Sequence, residues 1–156
     1  FNYAGQPWQT QYWSREVIDK VYSHNDPQHG YNGDEDQGLM GALAVLMKMG
    51  IFEMRGGAAI QPVVEIGSPI FDKITIHLNR KYYPGDEFTI ETINNSAKVK
   101  PNLSFCRVKS CLGKCWFYHK ELVGGGKLIL HMGDKPNMNW GSSPELLPPS
   151  MSDEQR

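Results

Sequence analysis

The spacing of apolar residues changes at Gly50, and this change limits the folds open to the chain. Before it, apolar residues recur at close to helical spacing over Trp8–Tyr22, and the run Leu39–Met49 is apolar on almost every side. After it, apolar and polar residues alternate along residues 73–78, which is the two-residue period of a strand. We therefore expect an α+β chain that is helical first and strand-rich later.

Two helices are predicted in the first third of the chain. Pro7 suits the first turn of a helix over Trp8–Tyr22, and Gly50 is a natural C-cap for a helix over Leu39–Met49. The second helix is so apolar that we expect it to be buried on most sides. The predicted solvent side of the first helix carries its charged residues, Arg15, Glu16, Asp19 and Lys20.

Four strands are predicted after the helices, with glycine and proline turns between them. The tail from Gly141 is rich in serine and proline and is predicted to be irregular. The predicted strands cover Val63–Ile66, residues 74–78, Phe88–Ile93 and Lys127–Met132.

The segment between the two helices contains an acidic loop, residues 33–38, in which three carboxylates stand between two glycines. It does not match an EF-hand, because Leu39 and Val45 stand where that pattern needs Gly and Glu. One interpretation is an acidic cap, since the N-terminus of a helix favours negative charge. The other is a site in which Asp34 and Asp36 converge, and their repulsion raises the pKa of one of them, as suits a general base.

Two further candidates come from sulfur and aromatic side chains. Soft ligands for zinc are present in one stretch, but their spacing lacks the usual C-x-x-C pairs, and three cysteines cannot form a complete set of internal disulfides. In the first helix, Trp8 and Trp13 belong either to a core stripe or to the wall of a sugar site, because aromatic faces suit the apolar faces of sugars. The possible zinc ligands are Cys106, Cys111, Cys115 and His119.

Composition excludes two classes of partner. With 16 basic and 17 acidic residues and a net charge of −1, the chain has no basic stripe, so a nucleic-acid surface is not indicated. No apolar run reaches the ~20 residues that a membrane helix needs, so a membrane partner is not expected. The first residues do not match a signal peptide, and the compartment cannot be taken from them.

Five blocks of sequence carry a resemblance, and they stand in the same order as in the family. Together they resemble glycoside hydrolase family 92, the calcium-dependent exo-acting α-mannosidases. The blocks are residues 1–8 with Thr10 and Gln11, residues 33–40, residues 49–52, residues 66–78, and residues 132–133 with 136–137 and 139–141.

The resemblance implies an architecture. Members have an N-terminal β-sandwich and an (α/α)6 catalytic barrel that a small strand-rich segment closes. Residues 1–55 would then be the last barrel helices with the acidic loop, residues 56–141 an antiparallel closing segment, and residues 142–156 an irregular tail. The sandwich and the remaining barrel would be partners from the same polypeptide. Residues 98–114 depart from the family, being rich in Lys and Cys.

The resemblance also implies a reaction. Members invert the anomeric centre, so Asp36 would be the general base and Asp34 its partner, while the catalytic acid lies outside this chain. The expected substrate is terminal α-linked mannose, with α-1,2 linkage, on mannose-rich N-glycans. Gly33, Glu35 and Trp8 are the candidates for substrate contact. Calcium would bind the vicinal hydroxyls of the sugar, and its protein ligands stay unassigned.

The same resemblance sets expectations for the isolated chain. The parent protein is expected to be secreted or periplasmic. Without the catalytic acid the 156-residue chain is expected to be inactive, and without the rest of the barrel its second helix is expected to expose apolar surface and promote association. The alternative is a non-catalytic carbohydrate-binding or scaffold remnant of the same fold.

Overall fold

The protein, in a computed structural model, has two long helices followed by two small β-sheets. The structure describes residues 1–22, 37–95, 113–150 and 152, together with the backbone of 102–107. The helices are α1 (Pro7–Val21), α2 (Leu39–Met49) and α3 (His119–Val123), with 3-10 turns at Asn2–Ala4 and Pro144–Leu146. The strands are β1 (Ile51–Phe52), β2 (Val63–Ile66), β3 (Lys73–His77), β4 (Glu87–Ile93), β5 (Asn102–Arg107), β6 (Trp116–Tyr118) and β7 (Gly126–Gly133).

The two predicted long helices are confirmed. Pro7 stands in the first turn of α1, where its missing N–H costs nothing. Gly50 ends α2 in the left-handed conformation, with φ 72°, and its N–H donates to Met47 O at 3.0 Å. A Cβ on Gly50 would lie 2.4 Å from Pro69, so both the backbone conformation and the close approach require glycine here. None of the helices in the described parts of the chain combines the length and hydropathy needed to cross a bilayer.

The predicted orientation of α1 is right for Asp19 and Lys20, which are exposed, and wrong for Arg15 and Glu16. Arg15 and Glu16, predicted to face solvent, are 7% and 4% exposed, whereas Tyr12 and Trp13 are 39% and 49% exposed. The helix turns polar side chains toward the sheets because the segment it packs on presents backbone oxygens there. Periodicity identifies the two faces of a helix but does not show which face the rest of the chain covers.

A single turn, residues 67–70, is hydrogen-bonded to both helices. From α1, Arg15 Nε donates to the backbone oxygen and to the hydroxyl of Ser68, each at 3.0 Å, and its Nη2 donates to Pro69 O. From the end of α2, Lys48 O accepts from Ile70 N at 3.0 Å. The turn therefore fixes α1 and α2 relative to the sheets.

The sheets are mostly antiparallel. One has the order β1-β2-β6 and the other the order β3-β4-β7-β5. Among the described strands, the β4–β7 pair is parallel and the other pairs are antiparallel, so the prediction of an antiparallel segment fails for this pair. A parallel pair needs a long connection, and here the chain forms β5, β6 and α3 between β4 and β7.

The hydrophobic core lies where the two sheets meet. Phe88 of β4 stacks on Phe117 of β6, with ring centroids 5.7 Å apart. The predicted strands supply most of the core, because their apolar residues face inward from each sheet. The fully buried core residues include Val64, Ile66, Phe88, Ile90, Phe117, Leu128 and Leu130.

Some elements were not predicted. The short β1, β6 and α3 have too few residues to show a period. The backbone of β5 pairs with β7 inside the stretch 98–114 that departs from the family, while residues 98–101 and 108–112 lie outside the described residues. Strand pairing thus persists at the centre of the divergent stretch.

The apolar helix α2 is less covered than predicted. Ala44 is its one fully buried residue, and Leu39 and Val45 are 60% and 56% exposed. The exposed residues of α2, Leu39, Ala42 and Val45, lie on one side, and its other residues are partly or fully buried. The expected burial is therefore incomplete, and the expectation of exposed apolar surface is confirmed.

We predict that the Arg15→Met variant loses about 3 kcal/mol of stability, because the buried carbonyls of Ser68 and Pro69 would each lose the donor that Arg15 supplies. Urea unfolding followed by circular dichroism measures the change. The matched control is Arg80→Met, which removes an exposed arginine paired with Asp86 and should cost less than about 1 kcal/mol. Equal losses in the two variants would contradict the role given to Arg15.

Candidate functional site

Of the acidic loop, the structure describes Gln37 and Gly38, while Gly33, Asp34, Glu35 and Asp36 lie outside the described residues. Tyr22, at the end of α1, is 3% exposed. The contacts of Tyr22 show how the two ends of residues 23–36 are held.

Tyr22 connects α1 to both ends of α2. Its hydroxyl donates to Met40 Sδ at 3.7 Å, in the first turn of α2. Its backbone oxygen accepts from Lys48 Nζ at 3.3 Å, in the last turn of α2. Gln37 and Gly38, just before α2, both have positive φ, 62° and 86°. The contacts of Tyr22 with Met40 and Lys48 therefore hold together the two helices on either side of residues 23–36.

An apolar cavity of about 390 Å³ lies between α1, α2 and β1, and we call it the helix–sheet cavity. Trp13 lines it, whereas Trp8, the predicted substrate contact, is half-buried in the first turn of α1 and is not part of its wall. Opposite Trp13, α2 contributes Leu43 and Met47. The cavity suits an apolar group, because polar atoms form little of its surface.

A buried hydrogen-bonded pair stands at one wall of this cavity. Tyr3 Oη donates to Glu65 Oε1 at 2.9 Å, and Met54 N donates to Glu65 Oε2 at 3.0 Å. Burial is the main cause that raises the pKa of Glu65, and the two hydrogen bonds offset it only in part. Burial and the nearby Glu65 carboxylate raise the pKa of Tyr3 to about 12.

Glu65 was not singled out from the sequence. The available signal was a lone carboxylate inside the apolar strand Val63–Ile66, since a charged side chain there is buried whichever way the strand faces. The structure shows that its partners come from the first turn of the chain and from the loop after β1, which no local pattern could identify.

The described residues do not form a metal site. They contain no group of three or more His, Cys, Asp or Glu side chains arranged to hold an ion. Of the zinc candidates, Cys115 is fully buried and His119 Nδ1 lies 2.5 Å from Glu53 Oε1, while the side chains of Cys106 and Cys111 are outside the described residues. The protein ligands of the calcium that the family implies stay unassigned.

Comparison with known proteins decides the family. The sequence profile described as "Glycosyl hydrolase family 92 catalytic domain" matches residues 1–134 of the 156. The chain belongs to glycoside hydrolase family 92. The resemblance found in the sequence blocks is thereby confirmed. Among curated proteins, no sequence matches this member of the family.

Solved structures of family 92 enzymes share the fold. An inverting mannosidase from Bacteroides thetaiotaomicron VPI-5482 has 35% identity and a TM-score of 0.80, over 97% of this chain and 19% of that one. A second α-mannosidase from Bacteroides thetaiotaomicron has 27% identity and a TM-score of 0.82, over 96% of this chain and 19% of that one. The same enzyme with mannoimidazole bound gives 25% identity and a TM-score of 0.81, with the same shares covered.

The chain thus spans about a fifth of the length of the family 92 structures it matches. The mixed α+β fold agrees with them. The division into barrel helices (1–55), closing segment (56–141) and tail (142–156) stays a prediction, as does the (α/α)6 barrel.

We predict that protonation of Glu65 stabilises the fold. Because its folded-state pKa is raised, the folded state binds the proton more tightly than the unfolded state does. The contribution of Glu65 to stability is therefore greatest below the ordinary carboxyl pKa of 4.5 and falls as the pH rises through the raised value. Glu65→Gln should remove this fall, measured as the free energy of unfolding in urea between about pH 4 and pH 8.

The control for this experiment is Glu91→Gln. Lys127 lowers the pKa of the partly exposed Glu91, so the contribution of Glu91 to stability is present above the ordinary pKa and is lost as the pH falls, which is the opposite sign. Tyr3→Phe should raise the folded-state pKa of Glu65 further, because it removes one of the two hydrogen bonds that lower it, and should also remove a loss of stability between pH 10 and about 12. An unaltered pH dependence in Glu65→Gln would show that the pair does not titrate with folding.

Proposed function

We propose that this chain is part of an inverting α-mannosidase in which the acidic loop supplies the general base. The observation that carries the proposal is the agreement of sequence and fold with a family 92 enzyme described as an inverting mannosidase, over 97% of this chain. Family membership over residues 1–134 supports the same reaction class.

In an inverting reaction the two carboxyl groups have separate catalytic roles. A carboxylic acid protonates the oxygen of the leaving group, and a carboxylate on the other face of the sugar activates water, the two groups being ~6.5–9.5 Å apart. Asp36 is our general base, and Asp34 shares or supports that role. Two carboxylates two residues apart repel each other, which raises the pKa of one and suits it to accept a proton near neutral pH. The acid belongs to the part of the polypeptide outside this chain.

The proposed substrate is terminal α-linked mannose on mannose-rich N-glycans, with α-1,2 linkage. The complex of a related enzyme with mannoimidazole supports a mannose-shaped ligand for the fold. Gly33, Glu35 and Trp8 remain our candidates for substrate contact. Trp8 lies on α1, the helix that precedes the acidic loop in the chain. We also propose that the parent protein is secreted or periplasmic.

The described residues contribute to this chemistry by holding the helices that carry the loop. Arg15 fixes α1 to the turn at Ser68, and Tyr22 ties the end of α1 to Met40 and Lys48 of α2. A general base needs a fixed position relative to the water it activates, and rigid supporting elements provide it. The protein ligands of the proposed calcium stay unassigned, and we assign the ion no step.

The test uses the intact enzyme that contains this segment. Asp36→Asn should lower kcat by about 10²–10⁴-fold, because the base is lost while the substrate still binds. Mannose release from an α-1,2-mannobioside measures the rate, and proton NMR of the first product reports inversion. The 156-residue chain alone should release no mannose. Retention of configuration, or turnover by the isolated chain that stops when calcium is chelated, would contradict the proposal.

The rest of the same polypeptide is the proposed partner of the apolar helix faces. Trp13 on α1 and Val45 on α2 are large, apolar and about half exposed, which is costly unless another element covers them. The remaining barrel helices and the N-terminal β-sandwich are the expected cover.

We predict that the isolated chain associates in solution through these faces. Multi-angle light scattering after size-exclusion chromatography should show species larger than the 17.7 kDa monomer. Val45→Glu should reduce association, because it places a charge on the exposed apolar face. Thr75→Glu, on an exposed position of β3, is the matched control and should leave association unchanged. A monomer at all concentrations would refute the prediction.

A further inference from the structure

The loop between β3 and β4 places two consecutive tyrosines at the surface. Tyr82 is 70% exposed and Tyr83 is 41% exposed. We call this pair the tyrosine platform. The proposed reaction makes no use of it, and the core does not bury it.

The backbone under the platform is fixed by one residue. Asn79 O accepts from Tyr82 N at 2.9 Å and from Tyr83 N at 3.0 Å. The side chain of Asn79 accepts from Lys81 N at 2.9 Å, which closes a second small turn. Three consecutive backbone amides therefore converge on Asn79, and the two rings start from a defined backbone.

The base of the loop is also anchored. Leu78 N donates to Asp86 O at 2.8 Å, and Gly85 N donates to Val123 O at 3.0 Å. A Cβ on Gly85 would lie 2.5 Å from the backbone of Gly124, so the loop packs directly against the segment after α3. The platform is thus a protruding but supported structure.

Such an arrangement favours binding. Tyrosine brings a large amphipathic surface with little rotamer entropy to lose, and a fixed backbone lowers the cost of ordering it further. Exposed apolar side chains on a well-ordered loop do not contribute to the stability of the fold. A ligand that covers the rings would gain from both properties.

The size of the platform selects the ligand class. A tyrosine buries ~150–250 Å² when fully covered, so the exposed parts of these two rings offer roughly 200 Å² together. A stable protein partner needs about 800 Å² on each side. One or two sugar rings fit the smaller area.

The chemistry around the rings agrees with a sugar. The C–H groups on the less polar face of a hexose carry slight positive charge and stack on the negative face of an aromatic ring. Lys81 Nζ lies 5.5 Å from the centroid of the Tyr82 ring, and the guanidinium of Arg80 pairs with Asp86 at the edge of the same loop. Lys81 therefore brings a hydrogen-bond donor to one ring, and the Arg80–Asp86 pair lies on the same loop.

We propose that the tyrosine platform is a carbohydrate-binding surface that holds glycan chains by stacking, in addition to the acidic loop. The choice of a mannose polymer as its ligand rests on the proposed function. The stacking itself depends only on Tyr82, Tyr83 and their rim.

Affinity electrophoresis tests the proposal with the 156-residue chain in native gels that contain increasing soluble yeast α-mannan. The wild-type chain should be retarded. Tyr82→Ala and Tyr83→Ala should each raise the apparent Kd by about tenfold, as expected for the loss of one aromatic contact. Phe71→Ala is the matched control, because Phe71 is also an exposed aromatic residue, at 47%, but lies on another loop. Its retardation should equal that of the wild type.

Each other outcome overturns the platform. A wild-type chain that mannan does not retard has no such surface. Equal retardation of wild type and both tyrosine variants would place the binding elsewhere, and an equal loss in Phe71→Ala would show non-specific adhesion of aromatic groups. Circular dichroism of each variant confirms that the fold is intact. Failure of the proposed reaction would appear separately, as absence of mannose release by the intact enzyme.

Discussion

The buried guanidinium of Arg15 is the interaction on which the arrangement of helices and sheets depends. A buried cation is tolerated only when its donors are satisfied, and here the acceptors belong to Ser68, Pro69 and Asn95, all from the strand region. The same turn also contacts the end of α2, because Gly67 N donates to Gly50 O at 2.8 Å. The turn at residues 67–70 therefore positions both helices that flank the acidic loop. Burial lowers the pKa of Arg15.

The two faces of the helix pair serve different purposes. Arg15 of α1 contacts the turn at residues 67–70, whereas Tyr12 and Trp13 of α1 and Leu39 and Val45 of α2 remain exposed. The chain spans about a fifth of the length of the family 92 structures it matches, and we propose above that the rest of the polypeptide covers the exposed face. The helix–sheet cavity, lined by Trp13 and Leu43, lies at the border between these faces.

Local patterns predicted the regular elements well, because helical and strand periods are written in consecutive residues. They located both long helices and four of the strands, and the sequence blocks identified the family. They failed where contacts are distant in sequence. The burial of Arg15, the parallel pairing of β4 with β7 and the Tyr3–Glu65 hydrogen bond each join residues that are far apart in the chain. For the acidic loop, the assignment of Asp34 and Asp36 comes from family resemblance and stays a proposal.

The sequence alone determined that two long helices precede the strands, that the acidic loop stands before α2, and membership of family 92, because these depend on residue type and spacing along the chain. Only the tertiary structure decided which side of α1 is covered, how the Glu65 carboxyl group is hydrogen-bonded, and that Tyr82 and Tyr83 lie exposed on a loop with a hydrogen-bonded backbone. The physical reason is that burial and hydrogen-bond satisfaction are properties of neighbours in space, and a single strand or helix does not specify its neighbours.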